Sequence, residues 1–576
     1  MSSTTWNGSS STDWATGANW STGSVPTTGA HIVIPDTSSI NNCVLDQSRT
    51  IGSLTIQANG TIVGGGFKLI IQSEGDASGG TEHHALKNDG IISGNLDIDF
   101  TFAGETAADF TGSSGNFQNV KVNASGADVN QVGAATFDGT LIIVANATYD
   151  AGNDGLTVAS DISNSGTLQG NASAISSRKL TSTGTLNGGN FTVTGAGLGN
   201  TIRTTDLGGT VTGNVDITLT GAGNNRHEDL QASGNIRNLT INNAAAVVHT
   251  GRDTTIDGDL TITAGTLSTD DSGTSVDLTV TGDASITGTL TGNASAISLG
   301  SLTIASGGTY SATSETTTLT KDDTSQFLYE TISGATFTNN DGTVLITGDG
   351  KLKPRAGTGN FHNLEINASG NTIDQSIALT CEGNLTITAG TLDTDSSNNY
   401  ALTVAGGIKN TGTLTANAST IIITGEIAGF AFDQMGTFNA GTSTIQIGDG
   451  STSTVGSSTH FKSNNCHNLI INQHIDAPNG NVAWRAYTGT EVTIGGNLTI
   501  TRGRFYRNTS TQDLTVTGDV DIASVGKLGT EAASGSNTFG SLTIASGGTY
   551  QATSGTTTIT DETSGGYGLI NSGTYT

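Results

Sequence analysis

The sequence predicts an all-β chain wound as an elongated parallel β-helix, a β-solenoid. Three observations carry that expectation: near-verbatim internal repeats, short strands that alternate apolar residues with threonine, and a step of about 20 residues between such strands. Gly300 to Tyr310 reads GSLTIASGGTY, and the same letters return 240 residues later from Gly540 to Tyr550. GNASAIS begins at Gly170 and again 122 residues later at Gly292. The long unit is therefore about 120 residues, and each unit is made of short look-alike strands.

The strands come first. Leu260-Thr261-Ile262, Leu278-Thr279-Val280, Leu302-Thr303-Ile304 and Leu385-Thr386-Ile387 place Leu and Ile on one face and Thr on the other, then meet Gly, Asn or Asp. β-Branched residues suit such a pleated, half-buried surface. With 82 Gly among 576 residues and 12% charged residues, disorder is the first alternative, but the 34% hydrophobic residues are too regularly placed for it. No window carries a helical apolar stripe of useful length.

Strand spacing then selects among all-β folds. The leading leucines 239, 260, 278 and 302 step by 21, 18 and 24, and 364, 385 and 402 step by 21 and 17. That matches one coil of a solenoid with two or three short strands per turn. Propeller blades need about twice the period. Some 25 coils stacked at about 4.8 Å would give a rod on the order of 120 Å long, with a right-handed path expected.

Corner residues follow. Asn119, Asn238, Asn363 and Asn468 stand at equivalent places in FQNVKVNASG, IRNLTINNAA, FHNLEINASG and CHNLIINQHI. Gly-Asn or Gly-Asp precedes a strand at Asn95, Asn214, Asp259, Asn384, Asn497 and Asp519. Asparagine tolerates left-handed backbone and bonds its own main chain, so it suits a corner taken repeatedly. Stacked corners would form side-chain ladders.

The first residues differ from the rest. Residues 1–50 are expected to form a cap or attachment segment holding Trp6, Trp14 and Trp20, and residues 51–576 the solenoid. An open solenoid end is a sheet edge that needs cover. The run WNG, then Trp, then NWSTGSVPTTG and a hydrophobic strand resembles the start of many bacterial and viral β-solenoid surface proteins, adhesin-like repeat proteins and phage tail or capsid fibres among them. The resemblance spans about 35 residues. It implies a surface or appendage protein and no particular ligand; a carbohydrate-binding Trp cluster is the rival.

The opening MSSTTW has no basic or apolar leader region, and no run of about 18 apolar residues occurs, so neither a secretory leader nor a membrane span is expected. A virion appendage reaches the outside by lysis, which makes a structural fibre at the virion surface the first expectation. A secreted adhesin or surface-layer protein, extracellular or on the bacterial surface, is the alternative. The chain stops at Thr576 where the first repeat copy continues, so a continuation or a second subunit at that edge is expected. Expected partners are other virion or surface proteins and further copies of the chain, with a cell-surface glycan as a rival ligand.

Charge and site chemistry complete the reading. The formal net charge of −28, from 49 Asp and Glu against 21 Lys and Arg, repels nucleic acid. Asp270 and Asp271 in STDDSGTSVD, and Asp393 and Asp395 in DTDSSNN, follow TITAGTL in equivalent loops and are the calcium candidates. Neither loop matches an EF-hand or a calcium-binding nonapeptide, and solvated turns compete with calcium there. No other cofactor is expected. In the last unit the acidic loop becomes Arg502, Arg504, Phe505, Tyr506 and Arg507, and the nearby strand adds Trp484, Arg485 and Tyr487. Arg and aromatic residues anchor interfaces, so this patch is the candidate surface for a neighbouring subunit or an acidic glycan. Cys43, Cys381 and Cys466 form no disulfide framework. A polysaccharide-degrading tailspike would need two carboxylates across a groove, whereas Asp322 with Asp323 and Asp561 with Glu562 are adjacent in sequence. No catalytic residue is named and no enzyme is expected.

Overall fold

The computed structural model describes residues 3–73, 84–109, 117–195, 204–220, 227–229, 234–271, 273–355, 359–451, 459–463, 465–473, 481–485, 491–507, 511–529, 534–561 and 566–576. The chain is an all-β parallel solenoid of about 21 turns, with about 22 residues per turn. Among the described residues the one helical element is a single 3-10 turn, Gly17–Asn19. Contacts divide the chain into two compact units, residues 1–280 and 281–576.

In the first unit, alternation sorts each strand into a core face and an outer face. Ile217, Leu239 and Leu260 stack in register and are buried, while Thr218, Thr240 and Thr261 stack beside them on the outside. A second face stacks Tyr149, Leu168, Leu186 and Val211, flanked by Thr148, Thr167, Thr185 and Thr210. In the second unit Val344, Leu364, Leu385, Ile408 and Phe432 form one inward row, and Leu392, Leu414 and Phe438 another. Every turn thus removes apolar surface from water and pairs its backbone groups with the next turn.

The expected coil of about 20 residues is met at about 22 residues per turn. Leu239 stacks on Leu260 and Leu364 on Leu385, so those steps of 21 are true turns. Leu278, however, stacks on Thr254, and Leu402 on Leu379, so the steps of 18 and 17 pass from one face of the solenoid to another. Mixing the two kinds of step shortened the apparent period.

The verbatim repeats fold alike. Tyr310 stacks on Phe337 and Tyr550 on Tyr575, and each repeat tyrosine shares a hydrogen bond with a threonine seven residues on, Tyr310 with Thr317 at 2.7 Å and Tyr550 with Thr557 at 2.8 Å. Glycine is abundant for a spatial reason as well. A Cβ on Gly184 would collide with the carbonyl of Gly166, and one on Gly209 with that of Gly184, each far inside the 3.0 Å that real Cβ atoms keep. The backbone of one turn lies directly on the corner of the turn before.

Candidate functional site

The tryptophans are packed inward. Trp20 stands edge-on to both partners, its ring centroid 4.9 Å from Trp6 and 4.6 Å from Trp14, and all three indoles are at most 1% exposed. Trp6 Nε1 donates to the Asn41 carbonyl at 2.7 Å and Trp20 Nε1 to the Trp14 carbonyl at 2.8 Å, so neither indole N–H is left unpaired. The buried Asn19 ties the loop together: its Oδ1 accepts from the Ser10 and Ser11 backbone, and its Nδ2 donates to Ser11 Oγ and the Asp13 carbonyl. The segment joins the solenoid through strand Ser3–Thr5, which pairs in parallel with His31–Ile34. A carbohydrate platform needs an exposed ring face, so the glycan-binding reading of these tryptophans is overturned by their burial.

Asn119, Asn238, Asn363 and Asn468 lie within or at the start of strands, and each reaches into the next turn. Asn238 Oδ1 accepts from the Asp259 N–H at 2.8 Å, Asn363 from Asn384 at 2.9 Å, and Asn468 from Asn497 at 2.9 Å. Asn119 accepts from Thr140 N–H at 2.9 Å and donates to Asp97 at 2.9 Å. The two sequence patterns, Asn-Leu/Val and Gly-Asn/Asp, are therefore successive rungs of one ladder. Among the described residues its longest run goes from Asn468 through Asn497 and Asp519 to Ser541. The glycine before each second rung has its own reason: a Cβ on Gly258, Gly383, Gly496 or Gly518 would strike the amide oxygen of the asparagine one turn earlier.

A second set of amides was not singled out by the sequence. Asn88, Asn164 and Asn410 point into the core and are at most 1% exposed; Asn164 donates to Ser182 Oγ at 3.0 Å and the Thr185 carbonyl at 2.8 Å, and Asn410 to the Thr437 carbonyl at 2.7 Å. The available signal was Asn-x-Gly followed by a strand, in Asn164-Ser-Gly-Thr-Leu and Asn410-Thr-Gly-Thr-Leu.

The two loops that hold the calcium candidates differ from each other. Asp270–Asp271 pairs with Thr274–Ser275 as an antiparallel hairpin, and Asp270 Oδ1 accepts from the Gly273 N–H at 2.7 Å. Asp393 accepts from Asp395 N–H at 2.8 Å and Asn417 Nδ2 at 2.7 Å, while Asp395 accepts from Ser397 and Asn398 N–H, both at 2.8 Å. The carboxylates of Asp270, Asp393 and Asp395 are engaged by turn and ladder hydrogen bonds, and the Asp271 side chain lies outside the described residues. Among the described residues no group of three or more His, Cys, Asp or Glu is placed to hold a metal.

Asp374 stacks on Asp393, and burial together with the Asp393 charge raises its carboxyl pKa above the ordinary 3.8. A raised folded-state pKa means that the folded chain binds this proton more tightly. Its stabilising contribution is full below about 3.8 and is lost as pH rises through the folded value. Asp374→Asn is therefore expected to unfold at a higher temperature than the parent at pH 7, with the difference shrinking towards pH 4; melting curves across that range check it.

The proposed Arg-aromatic surface is split by strand alternation. Arg502, Arg504 and Tyr506 are partly exposed, with the Arg504 guanidinium 5.5 Å from the Tyr506 ring centre and Arg502 donating to the Gly450 carbonyl at 3.3 Å. Phe505 and Arg507 point inward, at 0% and 4% exposure, and are removed from any surface patch. The backbone of Trp484 pairs with Arg507, and that of Arg485 with Lys462. Tyr487 lies outside the described residues.

The adjacent carboxylates considered for hydrolysis are engaged locally. Asp322 accepts from Asn371 Nδ2 at 3.2 Å, and Asp323 accepts from the Ser325 hydroxyl and N–H, which hold its carboxyl below the usual range. Asp561 is exposed, and Glu562 lies outside the described residues. All three cysteines are buried free thiols. No described helix is long and apolar enough to cross a membrane.

Fold and ladders together define a β-solenoid repeat protein. In comparisons with family models, curated proteins and solved structures, nothing matches the chain.

Proposed function

We propose that the chain is a non-enzymatic structural spacer, the shaft of a virion appendage such as a tail fibre, tailspike or capsid fibre, which holds adhesive parts at a fixed distance from the particle. The observation that carries this reading is the Asn468–Asn497–Asp519–Ser541 ladder beside continuous inward rows. Such a stack spends its polar side chains on joining one turn to the next. Backbone pairing between turns adds to the ladder, and the two together resist bending and stretching. The acidic surface keeps such an assembly soluble and away from nucleic acid.

The test is mass spectrometry of purified particles and of washed cell envelopes from the source culture. Peptides of this chain at fixed stoichiometry with capsid proteins are the expected result. Peptides confined to envelopes or medium would sink the appendage and leave a secreted adhesin or surface-layer protein.

A further inference from the structure

Arg507 breaks the repeat. Counting nine residues on from Leu260, Leu385 and Leu498, which all begin Leu-Thr-Ile-Thr, brings Thr269, Thr394 and Arg507 to one position. The two threonines are fully buried, and Thr394 is satisfied by Thr415, Asn417 and Ser419. Arg507 is buried too, at 4% exposure, but only one edge of its guanidinium is used. Nη1 donates to the carbonyls of Gln512 and Ser536. Nε and Nη2 have no acceptor among the described residues.

That free edge is the one with which a guanidinium grips a carboxylate or a single anion through two parallel N–H bonds. Arginine does not shed its proton in a protein, and a buried charge is normally paired. The nearby Asp513 makes no hydrogen bond to that edge: its Oδ1 accepts from the Ser536 N–H at 2.6 Å, and Nε and Nη2 stay without an acceptor among the described residues. Arg507 lines a small cleft with Phe505, Leu514, Leu528, Asn537 and Tyr550. Apart from Arg507, the lining offers mostly apolar atoms, with Asn537, Tyr550 and Gln551 as its polar members.

We propose that Arg507 and this cleft hold a compact monovalent anion, chloride or a small carboxylate of formate size, inside the solenoid. Asn537 completes the site. Its Nδ2 donates to the Tyr550 hydroxyl at 2.8 Å while its Oδ1 has no partner. Turning the amide over presents N–H to the anion and lets the Tyr550 O–H donate to the amide oxygen. Replacing a repeat threonine by arginine thus exchanges an internally satisfied position for one that needs a ligand.

The experiment follows thermal unfolding of the full chain at constant ionic strength while sodium gluconate, whose anion is too large for the cleft, is exchanged for sodium chloride or sodium formate. A ligand of the folded state raises the midpoint with concentration. The expected shift is about 2–4 °C for parent chain at saturating anion, and none for Arg507→Thr, which restores the residue of the other units. A larger response to formate than to chloride identifies a carboxylate, and the reverse a halide. Equal responses of parent and variant, or none in either, overturn the proposal. Should Arg507→Thr fail to fold, crystals of the parent soaked separately in bromide and in formate decide: an anomalous bromide peak or formate density against Arg507 Nε and Nη2 supports the site, and the absence of both overturns it.

Discussion

Trp20→Ala is expected to release the first turns of the solenoid and to make the chain self-associate. Trp20 fills the space between Trp6 and Trp14 and is 1% exposed, so its removal strips both neighbours of their edge-to-face partner. Deleting a buried indole costs about 3–5 kcal/mol. The loss also removes the Trp20 N–H bond to the Trp14 carbonyl. Contacts in a stacked-repeat protein are to nearest neighbours, so the cost falls on strands Ser3–Thr5, His31–Ile34 and Ser53–Ile56, and not on the distant turns. Hydrogen exchange should accelerate in those strands by a factor of at least about 100, the equivalent of some 3 kcal/mol of lost local protection. An opened first turn exposes unpaired strand groups, which explains the predicted self-association, readable by light scattering. Trp20→Phe should keep most of the packing and show a smaller effect. Unchanged exchange in His31–Ile34 with Trp20→Ala would show that the cluster covers nothing.

How far the sequence reveals this molecule depends on the range of the signal. Alternation in Leu260-Thr261-Ile262 is local, because a pleat places neighbours on opposite faces whatever the rest of the chain does. The like folding of the two GSLTIASGGTY copies was legible in the same way, although Tyr310 meets Phe337 where Tyr550 meets Tyr575. Turn length was less legible. Leu278 and Leu260 look equivalent in sequence, and only pairing reveals that they lie on different faces. The Arg-rich loop misled for a related reason. Its composition suggested a surface, yet alternation through Arg504, Phe505, Tyr506 and Arg507 sends every second residue inward, and nothing in a composition count marks which. The ladder lay between these cases: the asparagines were visible, but not that the Gly-Asn pattern forms their next rung. That connection needs three-dimensional contact between residues 21 to 29 apart.

A double-mutant cycle on that contact is expected to show strong coupling between two residues that sequence treats as separate motifs. Gly496 lies over Asn468, and a Cβ there would meet Asn468 Oδ1 well under 3.0 Å, with His467 the next neighbour at 3.1 Å. Gly496→Ala alone must push the amide aside and break its bond from Asn497 N–H, an overpacking cost of about 1–3 kcal/mol plus an orphaned donor worth about 1–3 kcal/mol. Asn468→Ala alone orphans the same donor but makes no clash, and should cost about 1–3 kcal/mol. In the double variant the methyl meets empty space where the amide stood, and the donor is lost only once. The pair should therefore be less destabilised than the sum by at least about 1 kcal/mol, within the range measured for residues in direct contact. Gly495 supplies the control, since a Cβ at that position would have nothing nearer than His467 at 3.6 Å, so Gly495→Ala should add to Asn468→Ala without coupling. Denaturant unfolding read together with hydrogen exchange in Asn468–Asn472 and Leu498–Arg507 separates local from global loss. Simple additivity of Gly496→Ala and Asn468→Ala would mean that the glycine is kept for backbone reasons alone, and that the ladder does not select it.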